Sequence, residues 1–285
     1  MKKTLFCIAA FALALSMASC GNKEGAAKEG AKKEDVKKKA TAKKATSQKK
    51  KNLLMPNASG LPYEMLVVMD DAQWDRPLGR AVFNVLDSDV PGLPQSERSF
   101  RISRVEPDGF NSNMFRIMRN VIKVDIQNIY TQPKFKFARN VYSYPQMIMT
   151  LQAPDEESLT EYINNNQQSI IDFFTKAEMN REIENLRERH NPEVSRLAEE
   201  ILGVDIWVPW ELNKFKKGKD FLWTSNNTPS GMMSIVMYSF PYEGPQIFNK
   251  EYLTQKRDSA LKANIPGEKP GMFMKTDTLC TVVKP

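Results

Sequence analysis

Histidine occurs once in the 285 residues, at His190, and cysteine three times, at Cys7, Cys20 and Cys280. Most hydrolytic triads and zinc centres draw on those two residue types, so a Ser-His-Asp relay or a tetrahedral zinc site is hard to assemble here. A glycine-rich phosphate loop, a dinucleotide fingerprint and EF-hand spacing are also missing. No metal and no cofactor is expected. His190 falls where one predicted helix ends and the next begins, and an imidazole there suits the negative helix terminus without any catalytic part. Carboxylates are the remaining catalytic candidates, since glycoside hydrolysis needs only two of them. Asp70 and Asp71 at a strand end, with Asp87, Asp89 and Glu97 around a proline loop, form that set. No motif separates them from ordinary turn formers and caps.

Long apolar runs are scarce too. The one that matters, residues 4–15, follows Lys2 and Lys3 and leads through Met17-Ala18-Ser19 to Cys20. It is too short to span a bilayer permanently and reads as a signal peptide over residues 1–19 that ends in a lipobox. Cys20 is then the lipid-attachment residue, and the membrane is reached through that lipid. Cys7 lies inside the signal, so only Cys280 is left and no disulfide within the mature chain is expected. Set in Thr278-Leu279-Cys280-Thr281-Val282, it reads as a buried strand residue.

Positive charge is confined to one region. Residues 21–51 hold twelve lysines against Glu24, Glu29, Glu34 and Asp35, whereas residues 52–285 hold 27 basic and 30 acidic side chains. A nucleic-acid reader carries its charge on a folded face, interleaved with aromatics, so no nucleic-acid partner is expected. Residues 20–51, with almost no large apolar side chain, read as a lipidated Lys/Ala-rich tether.

The globular part, residues 52–285, is expected to be α+β, with antiparallel or mixed sheets flanked by helices. A continuous apolar strand at 63–69 is followed by a helix at 74–86 and a strand at 99–105. An internal duplication of an α-β-ββ-α unit then suggests itself, with candidate halves 52–190 and 191–285. The first copy places a helix at 113–119, strands at 121–129, 134–141 and 146–152, and a helix from Asp155. The second places a helix at 192–202, strands at 204–210, 220–224 and 232–240, and a helix at 248–262. Asp155 behind Pro154 starts a helix that runs to about Arg189, its outer half mostly charged with Met179, Ile183 and Leu186 to bury. That half reads as a solvated, ion-paired helix, with a partner-binding face as the alternative. Asn191-Pro192 is a capped restart.

Aromatic residues and one arginine supply the candidate ligand-binding set. Trp210, beside Pro209, is expected to be exposed, Trp74 stands at a helix start, and Trp207 and Trp223 are expected in the core of a sheet. Arg119 either points its fork at an anionic ligand or pairs with a carboxylate. The segments Pro91-Gly92-Leu93-Pro94-Gln95-Ser96-Glu97, Arg119-Asn120-Val121, Ile265-Pro266-Gly267 and Met272-Phe273-Met274-Lys275-Thr276 resemble those of the Bacteroidetes lipoprotein family called domain of unknown function 4837. The similarity runs from about Leu53 to the end. It implies an envelope lipoprotein and carries no activity or catalytic residues with it. The sequence therefore favours a lipid-anchored cell-envelope protein with a non-enzymatic interaction or assembly role. It would sit in the outer membrane facing the periplasm, with surface exposure left open. Glycan or peptidoglycan binding through Trp74, Arg119 and Trp210 is the alternative, and a carboxylate-dependent hydrolase the remote one.

Overall fold

Strand β1, Glu64–Val68, sits at the heart of the first sheet, and its unbroken apolar run has a direct cause. Met65 and Val67 enter a core on one face while Leu66 and Val68 enter a second core on the other, as a strand covered on both sides requires. The computed structural model describes residues 54–279 except Pro94, Asn227, Pro229 and Ser230, together with Thr281 and Val283. The expected signal peptide, Cys20 and the tether lie outside the described residues, as does Cys280.

The helix predicted over 74–86 is two helices, α1 (Asp71–Trp74) and α2 (Pro77–Leu86). Pro77 opens α2 and holds Arg76 extended, which breaks the run. Gly79 permits the tight junction, because a Cβ there would lie 2.1 Å from the Trp74 carbonyl oxygen. Strand β2 (Arg101–Val105) leads through a 3-10 turn (Gly109–Asn111) to the short helix α3 (Asn113–Arg116). Strands β3 (Asn120–Ile126), β4 (Lys134–Arg139) and β5 (Met147–Ala153) complete a sheet ordered β2-β1-β3-β5-β4. Only β4 runs antiparallel to its neighbour. The chain passes from β1 to β2 on one side and then to β3 on the other, so the winding direction reverses between β1 and β3.

Helix α4 (Glu156–Asn165) begins as expected, with the Asp155 carboxylate accepting from the Ser158 N–H at 2.8 Å. The helix expected to continue to Arg189 breaks at Asn166, and α5 (Gln167–Arg189) starts anew. Residues of α2, α4 and α5 build the main core on one face of the sheet, where Phe174 of α5 meets Phe100 edge to face at 6.2 Å. The turn around Phe110 and the residues around α3 cover only part of the other face, over Leu66, Val68, Val121 and Ile148.

Asn191 caps α6 (Pro192–Leu202), accepting from the N–H groups of Glu193 and Val194, and Gly203 closes it with φ of 69°. Residues 204–210 are not the predicted strand. They carry no strand, with an isolated bridge from Pro209 to His190 and a turn at Trp210. Strands β6 (Lys214–Gly218), β7 (Phe221–Ser225) and β8 (Ser234–Tyr238) form an antiparallel sheet in sequence order. It buries Leu222, Phe215, Ile235 and Met237 against Val194, Leu197 and Ala198 of α6. A 3-10 turn (Pro245–Ile247) and α7 (Lys250–Asn264) follow.

The fold is α+β with one mixed and one antiparallel sheet, as expected. The duplication does not carry through. The matched pairs β4–β5 and β7–β8 are both antiparallel, but residues 204–210, the counterpart of β3, form no strand, and β6 has no counterpart in the first copy. The described residues from Met55 onward form one compact unit. No helix among the described residues is long and apolar enough to cross a membrane.

Candidate functional site

Helix α5 is the longest element described, 23 residues or about 34 Å. Its inward face is set by Ile170, Phe174, Ala177 and, one turn beyond the core, Glu178. Glu178 is only 4% exposed. Burying a carboxylate demands partners, and three converge on it. Arg119 donates from Nη2 at 2.7 Å, Asn120 from Nδ2 at 2.6 Å and Arg181 from Nη1 at 2.8 Å. Arg181 also donates to the Asn120 side-chain oxygen at 2.8 Å and to the Arg119 carbonyl at 2.9 Å. Asn120 further holds the Glu64 carbonyl at 3.0 Å, so the lattice joins the starts of β1 and β3 to α5. Burial pulls the Arg181 guanidinium below its ordinary value, against the raising effect of Glu178. With both carboxylate oxygens engaged by three donors and almost no exposure to solvent, Glu178 serves as a structural counter-ion.

Beyond this anchor, α5 is exposed along a line the sequence pattern assigned to burial. Met179 is 58% exposed and Ile183 47%. They sit about 100° and about 140° round the helix from Glu178, so anchoring the carboxylate turns them outward. A cleft of about 580 Å³ opens on each flank. One is lined by Tyr144, Phe173, Lys176, Glu184 and Glu188, the other by Pro62, Tyr63, Arg119, Met179 and Ile183. Tyr63 holds φ of 59°, an uncommon conformation for a bulky side chain.

At the far end of α5, the His190 Nδ1 lies 3.0 Å from the Leu186 carbonyl, and its ring stacks on Trp207 at 5.6 Å and 21°. The Arg189 guanidinium lies 5.7 Å over the ring of Trp210. Trp210 is 49% exposed. Trp207, expected in a sheet core, is 37% exposed because residues 204–210 join no sheet. Arg119 and Trp210 thus both address α5, eleven positions apart at Glu178 and Arg189, or about 16 Å along its axis.

Trp74 belongs elsewhere. It follows β1 while Arg119 precedes the parallel β3, which puts them at opposite ends of the sheet, and Trp74 packs edge-on to Phe83 beneath Arg104. The candidate carboxylates are divided in the same way. Asp71 pairs with Arg104 at 2.7 Å past the end of β1. Asp87 pairs with Arg98 at 3.3 Å and Asp89 accepts from Ser96, both in the loop that enters β2. A five-residue strand, about 17 Å, lies between the two groups.

Residues 191–284 match the family model described as Domain of unknown function (DUF4837), and residues 58–187 match that described as Domain of unknown function (DUF8532). The similarity read from about Leu53 onward therefore belongs, for the first of these, to the C-terminal segment. The motifs at 91–97 and 119–121 lie in the part matched by the second. The two matches meet at the end of α5. No curated protein and no solved structure matches the chain.

Sequence reasoning singled out Arg119 and Trp210 but passed over Glu178, Arg181 and Trp207. One signal was available: a carboxylate at 178 continues the inward spacing of 170, 174 and 177.

Proposed function

We propose that this is a cell-envelope protein, lipid-anchored through Cys20, that acts without catalysis by docking a partner protein along the outer half of α5. The observation that carries this reading is the exposed Met179–Ile183 line on a helix whose base is fixed by buried ion pairs and whose flanks are open. A rigid ridge bearing apolar side chains between charged ones suits a protein partner that seats apolar residues in the two clefts. The Lys-rich tether lets the folded part search at a distance from the membrane that holds the lipid, which we place as the outer membrane facing the periplasm. The candidate halves, 52–190 and 191–285, act in this account as a ridge-bearing lobe and a lobe mounted at its end. The exposed Trp207 and Trp210 beside Arg189 favour a second reading, glycan or peptidoglycan binding at that end.

In-cell crosslinking of the full chain, compared with a Cys20→Ala form, tests the reading. Capture of one envelope protein only when Cys20 is intact is the expected result. Co-purification with peptidoglycan or polysaccharide and no protein adduct would replace it with the glycan reading.

A further inference from the structure

The face of the first sheet opposite α2, α4 and α5 carries a smaller core over its early half, around Leu66, Val68, Val121 and Ile148. Beside that core, a cleft of about 300 Å³ is lined by Val68, Phe110, Arg116, Lys123, Asp125 and Thr150, within the size range of small-ligand sites. Its place follows from topology. Val68, the last residue of β1, pairs with Lys123 at the middle of β3, Asp125 lies near the end of β3, and the winding direction reverses between those two strands. In open sheets of mainly parallel strands, the carboxyl ends of the strands at such a reversal are where ligands collect.

The side chains there are chemically matched and incompletely used. The register sets Lys123 beside Thr150 and Asp125 beside Gln152. Lys123 Nζ lies 5.2 Å over the ring of Phe110, and the Arg116 guanidinium 5.2 Å over that of Tyr142. Those two rings meet edge to face at 5.9 Å, so the cations are held on one aromatic wall. Among the described residues neither cation forms a salt bridge: Arg116 donates from Nη2 to the Asn111 side-chain oxygen at 2.7 Å and its buried Nε has no acceptor, while Lys123 is near enough for its charge to act on Asp125. Opposite them, Asp125 accepts from Tyr130, Gln152 and Gln127, which leaves about one of its four lone-pair directions open. Two cations without a salt-bridge partner on one wall, with the open carboxylate direction of Asp125 and the Thr150 hydroxyl facing the same cleft, describe a ligand with an anionic group at one end and hydroxyls at the other.

We infer that this cleft binds a hydroxylated anion of monosaccharide size, its carboxylate or phosphate taken by Arg116 and Lys123 and its hydroxyls by Asp125 and Thr150. The site is independent of the α5 surface and shares no residue with it.

Isothermal titration of the full chain with D-glucuronate and with D-glucose 6-phosphate tests this, with D-glucose and inorganic phosphate as the half-ligands. The expected result is saturable binding of at least one anionic sugar with Kd below about 1 mM, at least about tenfold tighter than either half-ligand. Whichever sugar binds identifies the carboxylate or the phosphate as the anionic group. Lys123→Gln, and separately Thr150→Val, should each weaken it while leaving the melting transition in place, and Ile183→Lys should leave it unchanged. Absence of saturation with both sugars, equal affinity for inorganic phosphate alone, or wild-type affinity in both Lys123→Gln and Thr150→Val would overturn the inference.

Discussion

Arg119 donates to Glu178 at 2.7 Å, tying the residue just before β3 to the middle of α5 across 59 positions of sequence. Because Arg181 reaches back from the same helix to the Arg119 carbonyl, the two arginines and the carboxylate fix the helix in rotation as well as position. That rotation decides which side chains face outward, and so links a buried electrostatic feature to the proposed docking ridge.

Removing the carboxylate should therefore be costly. Glu178→Ala leaves two guanidinium groups partly buried without their counter-ion and is expected to destabilise by about 3–5 kcal/mol in urea unfolding. Glu184→Ala, at the exposed pair with Arg187, should change stability by less than about 0.5 kcal/mol. Equal effects of the two substitutions would contradict a structural role for the lattice.

Gly79 is predicted to be intolerant. Since a Cβ would meet the Trp74 carbonyl at 2.1 Å, and that atom is backbone, α1 and α2 must separate to admit it. Gly79→Ala is expected to cost about 3 kcal/mol, despite alanine's higher helix propensity, and a thermal melt at or above the wild-type value would refute the close approach.

The elements that the sequence shows clearly are those whose signal is local. Asp155 behind Pro154 and Asn191 before Pro192 cap their helices as their chemistry requires, and β1 is buried on both faces as its unbroken apolar run implies. Long-range terms govern the rest. Strand β6, Lys214-Phe215-Lys216-Lys217-Gly218, has one large apolar side chain and is a sheet edge, where lysines discourage pairing with another chain. Residues 204–210 have strand-like composition but find no ladder partner beyond Pro209 to His190. The outer half of α5 is solvated and ion-paired as its pattern implies, except at Glu178 and Arg181, whose burying partners come from another part of the chain. Ile170, Phe174 and Ala177 set the inward side of the first half of α5, and the charge lattice at Glu178 and Arg181 carries it on where apolar residues no longer do.

Loss of the Asn191 cap should act on the C-terminal part. Its side-chain oxygen serves two N–H groups of α6 and its amide donates to the Leu212 carbonyl at 3.1 Å. Asn191→Ala is expected to cost about 1–2 kcal/mol, and hydrogen exchange should speed up in α6 and β7 before it does in β1 and β3.

Acid should weaken the fold through particular carboxylates. Burial pushes the Asp125 carboxyl up, but hydrogen bonds from Tyr130, Gln152 and Gln127 and the charge of Lys123 outweigh it and leave it below its usual value. For Asp258, burial likewise raises the carboxyl and the Thr276 side-chain and backbone hydrogen bonds overcome it. A folded value below the unfolded one means the contribution is complete above about pH 4 and is lost as the pH falls through the folded value. Urea midpoints should accordingly fall with acidification below about pH 4, and less steeply in Asp125→Asn. Rising stability in that range would contradict the assignment.

The central claim is that α5 presents its outer half to a protein partner, and a photo-crosslinking residue placed in cells at position 179 or 183 of the full chain tests it most directly. The account predicts one discrete adduct with an envelope protein from both positions, none from position 164 on α4, and loss of the 179 adduct when Ile183→Lys is introduced with the melting transition unchanged. Adducts of equal yield from all three positions, or none from 179 and 183 in a folded, lipidated protein, would contradict it.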